Sequence, residues 1–357
     1  LAACLLLLGG CGHVLPGSLT GDGRPYDFAR PPQCSQPAPD AGKVEVRYLG
    51  SGGVYIRWRG DAILIGPSFS NPGLVRAGFG RMKHDRARIA RGLEGIDLRS
   101  VRGFFAGHSH YDHIGDLPVI AGETIPDAPI WVNATGVRAL AGEPLLRGRV
   151  QPLGAGETVV VTPAIRVRAV ASGHAPQVCP WRHFPCVYAS GELTEPWTTP
   201  LSRHRLGTMR GGETLALVIE LGDGDAGGDT DRYRIYYNDA AADSPLGQTT
   251  GDFDLAILCI AQWNWVRDYP RDLLAVLRPA HVVVSHWENF FVETRQAARF
   301  VPNLSNAGAA RFLEIVDRQV SGTNGPGNNV CGVTTAHWTM PAPGSSMLFE
   351  PRPLTEE

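Results

Sequence analysis

The stretch Phe104-Phe105-Ala106-Gly107-His108-Ser109-His110-Tyr111-Asp112-His113 constrains this chain more than any other. An apolar run, readable as a buried strand, stops at a glycine and releases three histidines and one aspartate within six positions. Neutral imidazole nitrogen and carboxylate oxygen are good ligands for Zn2+ and similar borderline cations. Where a strand gives way to a loop, neighbouring side chains can point to different sides, so one short segment can serve two metal ions. A polar loop with solvated histidines accounts well for a lone His and poorly for this cluster.

Other apolar strands end in the same way. Residues 165–170 run into Ala171-Ser172-Gly173-His174, residues 233–237 into Asn238-Asp239, and residues 281–284 into Ser285-His286-Trp287. Residues 44–48 alternate as a half-buried strand, and tight turns lead on to strands at 54–58 and 62–65. Residues 158–161, 214–221 and 255–260 read as further strands. Residues 114–121, 134–141, 271–277, 294–300 and 307–318 read as helices. Two strand-rich halves, each followed by helices, predict an α+β chain with two mixed sheets packed face to face and flanked by helices. His281 opens its strand and belongs at the opposite edge from His286.

The His-rich loop with His174, Asp239 and His286 resembles the signature of the metallo-β-lactamase superfamily, over roughly residues 43–315. The resemblance implies the αββα sandwich of that superfamily. It also implies that His108, His110 and His174 hold one divalent ion, that Asp112, His113 and His286 hold another, and that Asp239 bridges them. Zinc is the first expectation, with Mn2+ and Fe2+ also compatible. Two such ions share a hydroxide nucleophile and polarise the bound carbonyl or phosphoryl oxygen. Asp112 and Asp239 are therefore in the expected catalytic set. His204 joins them as a candidate leaving-group acid, beside Tyr111 and a metal-bound water. Residues 254–258 and 277–287 resemble the branch that contains ascorbate-6-phosphate lactonase and N-acyl-phosphatidylethanolamine phospholipase D. Two departures stand out: Gly66 occupies a strand end where the family commonly has Asp, and Asn238-Asp239-Ala240 replaces Gly-Asp-Thr.

A net charge of −2 offers no basic footprint for nucleic acid, so none is expected as a partner. Residues 1–11 resemble the end of a signal peptide, and Leu8-Gly9-Gly10-Cys11 resembles a lipobox with Cys11 as the lipidated residue. That places the protein in the bacterial periplasm or cell envelope, anchored to a membrane through Cys11. Residues 12–42 read as a Pro/Gly-rich tether, 43–345 as the hydrolase domain and 346–357 as a C-terminal tail. Outside the cytoplasm disulfides form, and Cys179 with Cys186 would staple a Pro-rich, aromatic loop within the aperiodic stretch 175–211. Cys259 reads as a buried thiol. An insertion at 67–95 carries Arg81, Lys83, His84, Arg86 and Arg88, either a solvated face or a wall that attracts an anion. The expected function is hydrolysis of a phosphodiester or related ester, the substrate being a small molecule or lipid-like. A lactonase or β-lactam/amide hydrolase with the same centre is the alternative, and a metal-binding lipoprotein without turnover is a third reading.

Overall fold

The computed structural model describes residues 42–176, 190–222, 232–242, 249, 251–292, 299–302, 304–320, 329–330, 333–334 and 337–350. The strands in chain order are β1 (Val44–Gly50), β2 (Gly53–Trp58), β3 (Asp61–Ile65), β4 (Val101–Phe105), β5 (Ile130–Val132) and β6 (Val150–Pro152). There follow β7 (Thr158–Thr162), β8 (Ile165–Ser172), β9 (Thr214–Leu221), β10 (Tyr233–Asn238), β11 (Leu255–Cys259) and β12 (His281–Ser285). A short ribbon of β13 (Asn329–Val330) and β14 (Val333–Thr334) precedes β15 (Trp338–Thr339) and β16 (Ser346–Phe349).

Two seven-stranded sheets result, ordered β16-β1-β2-β3-β4-β5-β6 and β15-β12-β11-β10-β9-β8-β7. Each is antiparallel through its first hairpins and parallel thereafter. The change falls at β3–β4 in one sheet and at β10–β11 in the other. The two layers therefore repeat one plan. The C-terminal residues 346–349 are not tail: they pair antiparallel with β1, Val44 opposite Phe349, and complete the first sheet. Alternating Ser346, Met347, Leu348 and Phe349 give that strand a core-facing side, since Met347 and Phe349 are fully buried.

Strand periodicity sorts the side chains between layers. Val44, Val46, Tyr48, Ile63, Ile65 and Phe105 join Leu217, Ile219, Ile235, Tyr237 and Ile257 in one core cluster. The alternate residues Tyr55, Ala62, Leu64 and Phe104 face a second cluster with Ile89, Leu93, Ile114, Leu117 and Ile120. On β1 the residues between the apolar ones are Glu45, paired with Arg57 at 2.7 Å, and Arg47, whose Nη2 donates to Glu94 O at 2.7 Å. Each fully buried Val, Ile or Leu contributes about 1.5–3 kcal/mol, so a one-residue slip of any central strand is excluded. Helices Arg271–Leu277 and Asn306–Val320 cover the second sheet, the latter through Ala309, Phe312, Leu313 and Val316. In place of one helix over 114–121, the chain makes short helical turns at Tyr111–Ile114, Leu117–Val119 and Ile120–Thr124, because Pro118 and Gly122 interrupt it. Among the described residues no helix is long and apolar enough to cross a membrane. The leader with Cys11, the Cys179–Cys186 pair and residues 294–298 of the helix expected over 294–300 lie outside the described residues; its last two residues are not helical, Phe300 forming an antiparallel bridge with Glu288.

His281 is buried at the start of β12, on the far side of its strand from His286, with Nε2 3.1 Å from Thr339 Oγ1. Burial, with a smaller contribution from His337, lowers its pKa to about 3. A depressed folded-state value means that its stabilising effect is complete above the unfolded value near 6.5 and is lost as pH falls towards 3, at about 1.4 kcal/mol per pH unit. Urea unfolding at pH 7.5 and 4.5 checks this. His281→Asn should start less stable at pH 7.5 and lose less on acidification than the parent; an equal loss in both proteins would refute the assignment.

Candidate metal centre

Four strand ends meet at one edge of the sandwich. β8, β10 and β12 run in the same direction with one strand between neighbours of the set, and they deliver His174, Asp239 and His286 just beyond their C-terminal ends. β4 delivers the His-rich loop from the facing sheet. The loop must pass very close to the second sheet. A Cβ on Gly107 would lie 2.6 Å from Asp239 Oδ1 and 2.8 Å from Leu215 O, so only glycine fits; its carbonyl accepts from Leu215 N at 2.7 Å.

The seven expected ligands form three overlapping groups: His108, His110 and His174; Asp112, His113 and His286; and His108, His113 and Asp239. Within each group the donor atoms lie within 4.8 Å of one another. Asp239 thus shares a group with one residue from each of the other two. His108 Nδ1 is 3.0 Å from Asp239 Oδ1, and His113 Nδ1 is 3.4 Å from Asp239 Oδ2. Asp112 Oδ2 lies 3.5 Å from His286 Nε2 and 3.7 Å from His113 Nε2. All are buried except His174, which is half-buried. His174 Nδ1 donates to Ala175 O at 2.7 Å, which fixes the tautomer and leaves Nε2 as a lone-pair donor.

Electrostatics separate the two carboxylates. Burial pushes Asp239 up, against the pull of His113 and His286. Burial opposes ionisation of Asp112 too, but His113 and His286 outweigh it and hold its carboxyl well below the usual range. Burial drives His108, His110 and His174 down, and His113 to about 4. His286 goes the other way. Burial disfavours its charge, yet its hydrogen bond to Asp112 and that residue's charge hold it above its ordinary value.

The donor set fits divalent metal. Among the described residues, His113 Nδ1, Asp239 Oδ2 and His286 Nδ1 are buried without a hydrogen-bond partner. Such atoms are costly to bury unless something else satisfies them. Five imidazoles and two carboxylates, with no thiolate in any group, suit borderline cations such as zinc, manganese or iron.

Several residues that hold this edge together carry no motif in the sequence. Asn133 is fully buried: its Oδ1 accepts from Ser109 Oγ at 2.6 Å and from Gly136 N at 2.8 Å, and its Nδ2 donates to Gly211 O and Glu213 O. One amide therefore fixes the loop between His108 and His110 while capping helix Ala134–Leu140. Asp116, one turn past His113, accepts from Phe69 N, Ser70 N and Ser70 Oγ at 2.6–2.8 Å, with His84 Nδ1 at 3.5 Å. His286 sits in left-handed backbone at φ 57°, where its N–H donates to Tyr48 Oη at 2.8 Å. Tyr48 Oη in turn donates to Glu288, which also accepts from Ser51 N. A lone acid two residues past a ligand and a tyrosine in an alternating strand gave no hint of this bracket.

The two departures from the pattern that the resemblance implies have visible consequences. Gly66, at φ 54°, places its missing Cβ 3.1 Å from His113 Nδ1, so the absent carboxylate would have faced that ligand. Asn238 replaces glycine productively: its Nδ2 donates to Ser172 Oγ and Ala242 O, and its Oδ1 accepts from Ala240 N. His204 is not brought into the ligand groups. Its ring stacks on Trp197 at 3.6 Å and Nε2 meets Thr199 Oγ1 at 3.0 Å, while Trp197 packs against the second core cluster. Tyr111 is buried in the helical turn that carries Asp112 and His113.

Two mixed sheets face to face, helices outside and a donor cluster at one edge make up an αββα sandwich, the architecture that the resemblance to the metallo-β-lactamase superfamily implies. Comparison by sequence finds no matching family model and no matching curated protein. Among solved structures, the chain is similar to Igni18, a metallo hydrolase from the archaeon Ignicoccus hospitalis, at 15% identity and TM-score 0.48, covering 87% of this chain and 100% of that one. It is similar to the metallo-β-lactamase fold protein YhfI from Bacillus subtilis at 9% identity and TM-score 0.47, covering 86% and 100%. It is also similar to CmlA, a diiron β-hydroxylase from Streptomyces venezuelae, at 14% identity and TM-score 0.49, covering 88% of this chain and 55% of CmlA.

The bracket on His286 gives a test. Tyr48→Phe removes the acceptor of the His286 N–H and a donor to Glu288 while keeping the ring. Loss of such a supporting partner typically costs about 10- to 100-fold in metal affinity. Chelator competition should show that fall, with circular dichroism unchanged; parental affinity would show that the bracket does not position the ligand.

Proposed function

We propose that the protein is a hydrolase of the metallo-β-lactamase superfamily that works with two divalent ions, zinc first, on a phosphodiester or related ester. The convergence of seven donors in three overlapping groups carries this reading. Ions bound there supply Lewis acidity, activating water at neutral pH and polarising the scissile carbonyl or phosphoryl group. The chain's own part is to hold and orient. His108, His110 and His174 form one pocket of donors, and Asp112, His113 and His286 the other. Asp239 stands between them, and the anion of Asp112 orients the attacking water. No serine or cysteine nucleophile is required. Cys259, the buried thiol expected from sequence, is pushed far up by burial and is unsuited to attack.

Elemental analysis of the purified chain after reloading should find two divalent ions per chain. A hydrolysis screen over phosphodiesters, lactones and β-lactams then separates the ester reading from the lactonase and amide alternatives, which use the same activated water. Asp239→Asn keeps the size of the residue and removes the anion between the two groups. Turnover should fall by about three orders of magnitude or more, with thermal unfolding retained. One ion or none, or turnover close to the parent's, would sink the dinuclear reading.

The lipobox-like Leu8-Gly9-Gly10-Cys11 supports a companion proposal, that Cys11 is lipidated and tethers the domain to a cell-envelope membrane. Cys11→Ala in the full precursor should shift the protein from the membrane to the soluble fraction. An unchanged distribution and unchanged migration on gels count against the anchor.

A further inference from the structure

The insertion at 67–95 builds a second concavity, of about 440 Å³, that none of the metal-ligand groups occupies. Ser70, Asn71, Arg76, Lys83, Arg88 and Phe291 are among its walls. Among the described residues its one carboxylate, Asp85, is engaged within the fold: it caps helix Arg86–Leu93 through Arg88 N and lies 3.3 Å from Arg88 Nε. Arg88 also donates from Nη1 to the carbonyls of Ser70 and Asn71. Arg76 and Lys83 differ from Arg88. Both are exposed, and neither has an acidic partner among the described residues.

The floor of this pocket is rigid. Ser70 is clamped by Asp116 at its N–H and hydroxyl, and its Oγ also accepts from Asp85 N at 2.9 Å. Asn71 is buried in left-handed backbone at φ 38° and donates from Nδ2 to Val292 O at 3.3 Å. Asn is one of the few non-glycine residues that takes up this conformation readily, and its side-chain bond to Val292 O holds the turn in place. The pocket also adjoins the metal edge on two sides. Ser70 reaches the helical turn of His113 through Asp116, and Phe291 packs 4.6 Å from Phe290, whose ring lies 4.8 Å from His286.

We infer that this pocket is an anion subsite that takes a phosphate-class group. Two exposed cations with no internal partner gain most from a doubly charged ligand, and a guanidinium matches phosphate oxygens in forked geometry. That the group belongs to a substrate turned over at the adjoining centre rests on the function proposed above; the pocket's affinity for the anion does not.

The first experiment is calorimetric titration of inorganic phosphate into the chelator-treated full chain, where the metal centre cannot compete for it. Binding should be saturable in the parent and weaker by about tenfold or more in Arg76→Ala/Lys83→Ala, both side chains being exposed and dispensable for folding. No saturable binding, or equal binding by the two proteins, overturns the subsite. Glycerol 3-phosphate and vesicles of phosphatidylcholine with phosphatidic acid, used as competitors, tell a free ester from a lipid headgroup; displacement by neither overturns it as well. In metal-loaded protein, two esters of one scaffold, with and without a remote phosphate, complete the test. The parent should prefer the phosphorylated ester in kcat/KM and the double variant should lose that preference. A parent that hydrolyses both esters alike removes the subsite and leaves the hydrolase standing. A parent that hydrolyses neither removes the hydrolase, and the phosphate titration still decides the pocket.

Discussion

Two buried carboxylates set the terms for the rest of the structure. Asp112 and Asp239 lie among five imidazoles at the joint between the sheets, where an unpaired charge costs several kcal/mol. The histidines relieve only part of this. They hold Asp112 ionised, while burial pushes Asp239 up despite His113 and His286. Divalent ions would balance both carboxylates at once and would satisfy Asp239 Oδ2, which is buried without a hydrogen-bond partner. The loop and strand ends that carry the donors are held by hydrogen bonds of their own, Ser109 to Asn133, His174 to Ala175 and His286 N–H to Tyr48.

The sandwich makes the convergence possible through simple strand geometry. Neighbouring strands lie about 4.8 Å apart, so β8, β10 and β12 present their ends roughly 10 Å apart in sequence around the edge. Imidazole and carboxylate side chains of His174, Asp239 and His286 reach inward across those gaps. The facing strand β4 brings the remaining four donors in one short loop, which Gly107 allows to come almost into contact with β9 and Asp239. The repeated plan of the two sheets, antiparallel then parallel, provides the common direction that puts these strand ends at one edge.

Periodicity and strand-end position made the candidate donors and most of the strands readable from the sequence. An apolar run followed by a metal-binding side chain is a local pattern, and β4, β8, β10 and β12 all show it. What stayed hidden depends on contacts between residues far apart in the chain. Tyr48 and Glu288 meet across 240 positions, Asn133 reaches Gly211 across 78, and residues 346–349 look like a tail until β1 is found beside them. His204 shows what a lone residue leaves open. The sequence offers it as one of three candidate acids, and the fold places its ring in a stack with Trp197, outside the three donor groups.

The departures from the pattern that the resemblance implies fall beside the candidate donors and not on them. Gly66 removes a carboxylate that would have faced His113, and its positive φ would strain any side chain put back there. Asn238 adds an amide whose three hydrogen bonds lock the turn at Asp239. Asp116 binds the first residues of the insertion to the helical turn carrying His113, so that segment is tied to the metal edge by buried hydrogen bonds. The chemistry demanded of a ligand leaves few residue types that can serve. Positioning it demands only a rigid neighbour with a hydrogen bond to offer, and that requirement can be met from a different strand, turn or insertion. In this chain the donors are therefore legible in the sequence, and the residues that orient them come to light only in the fold.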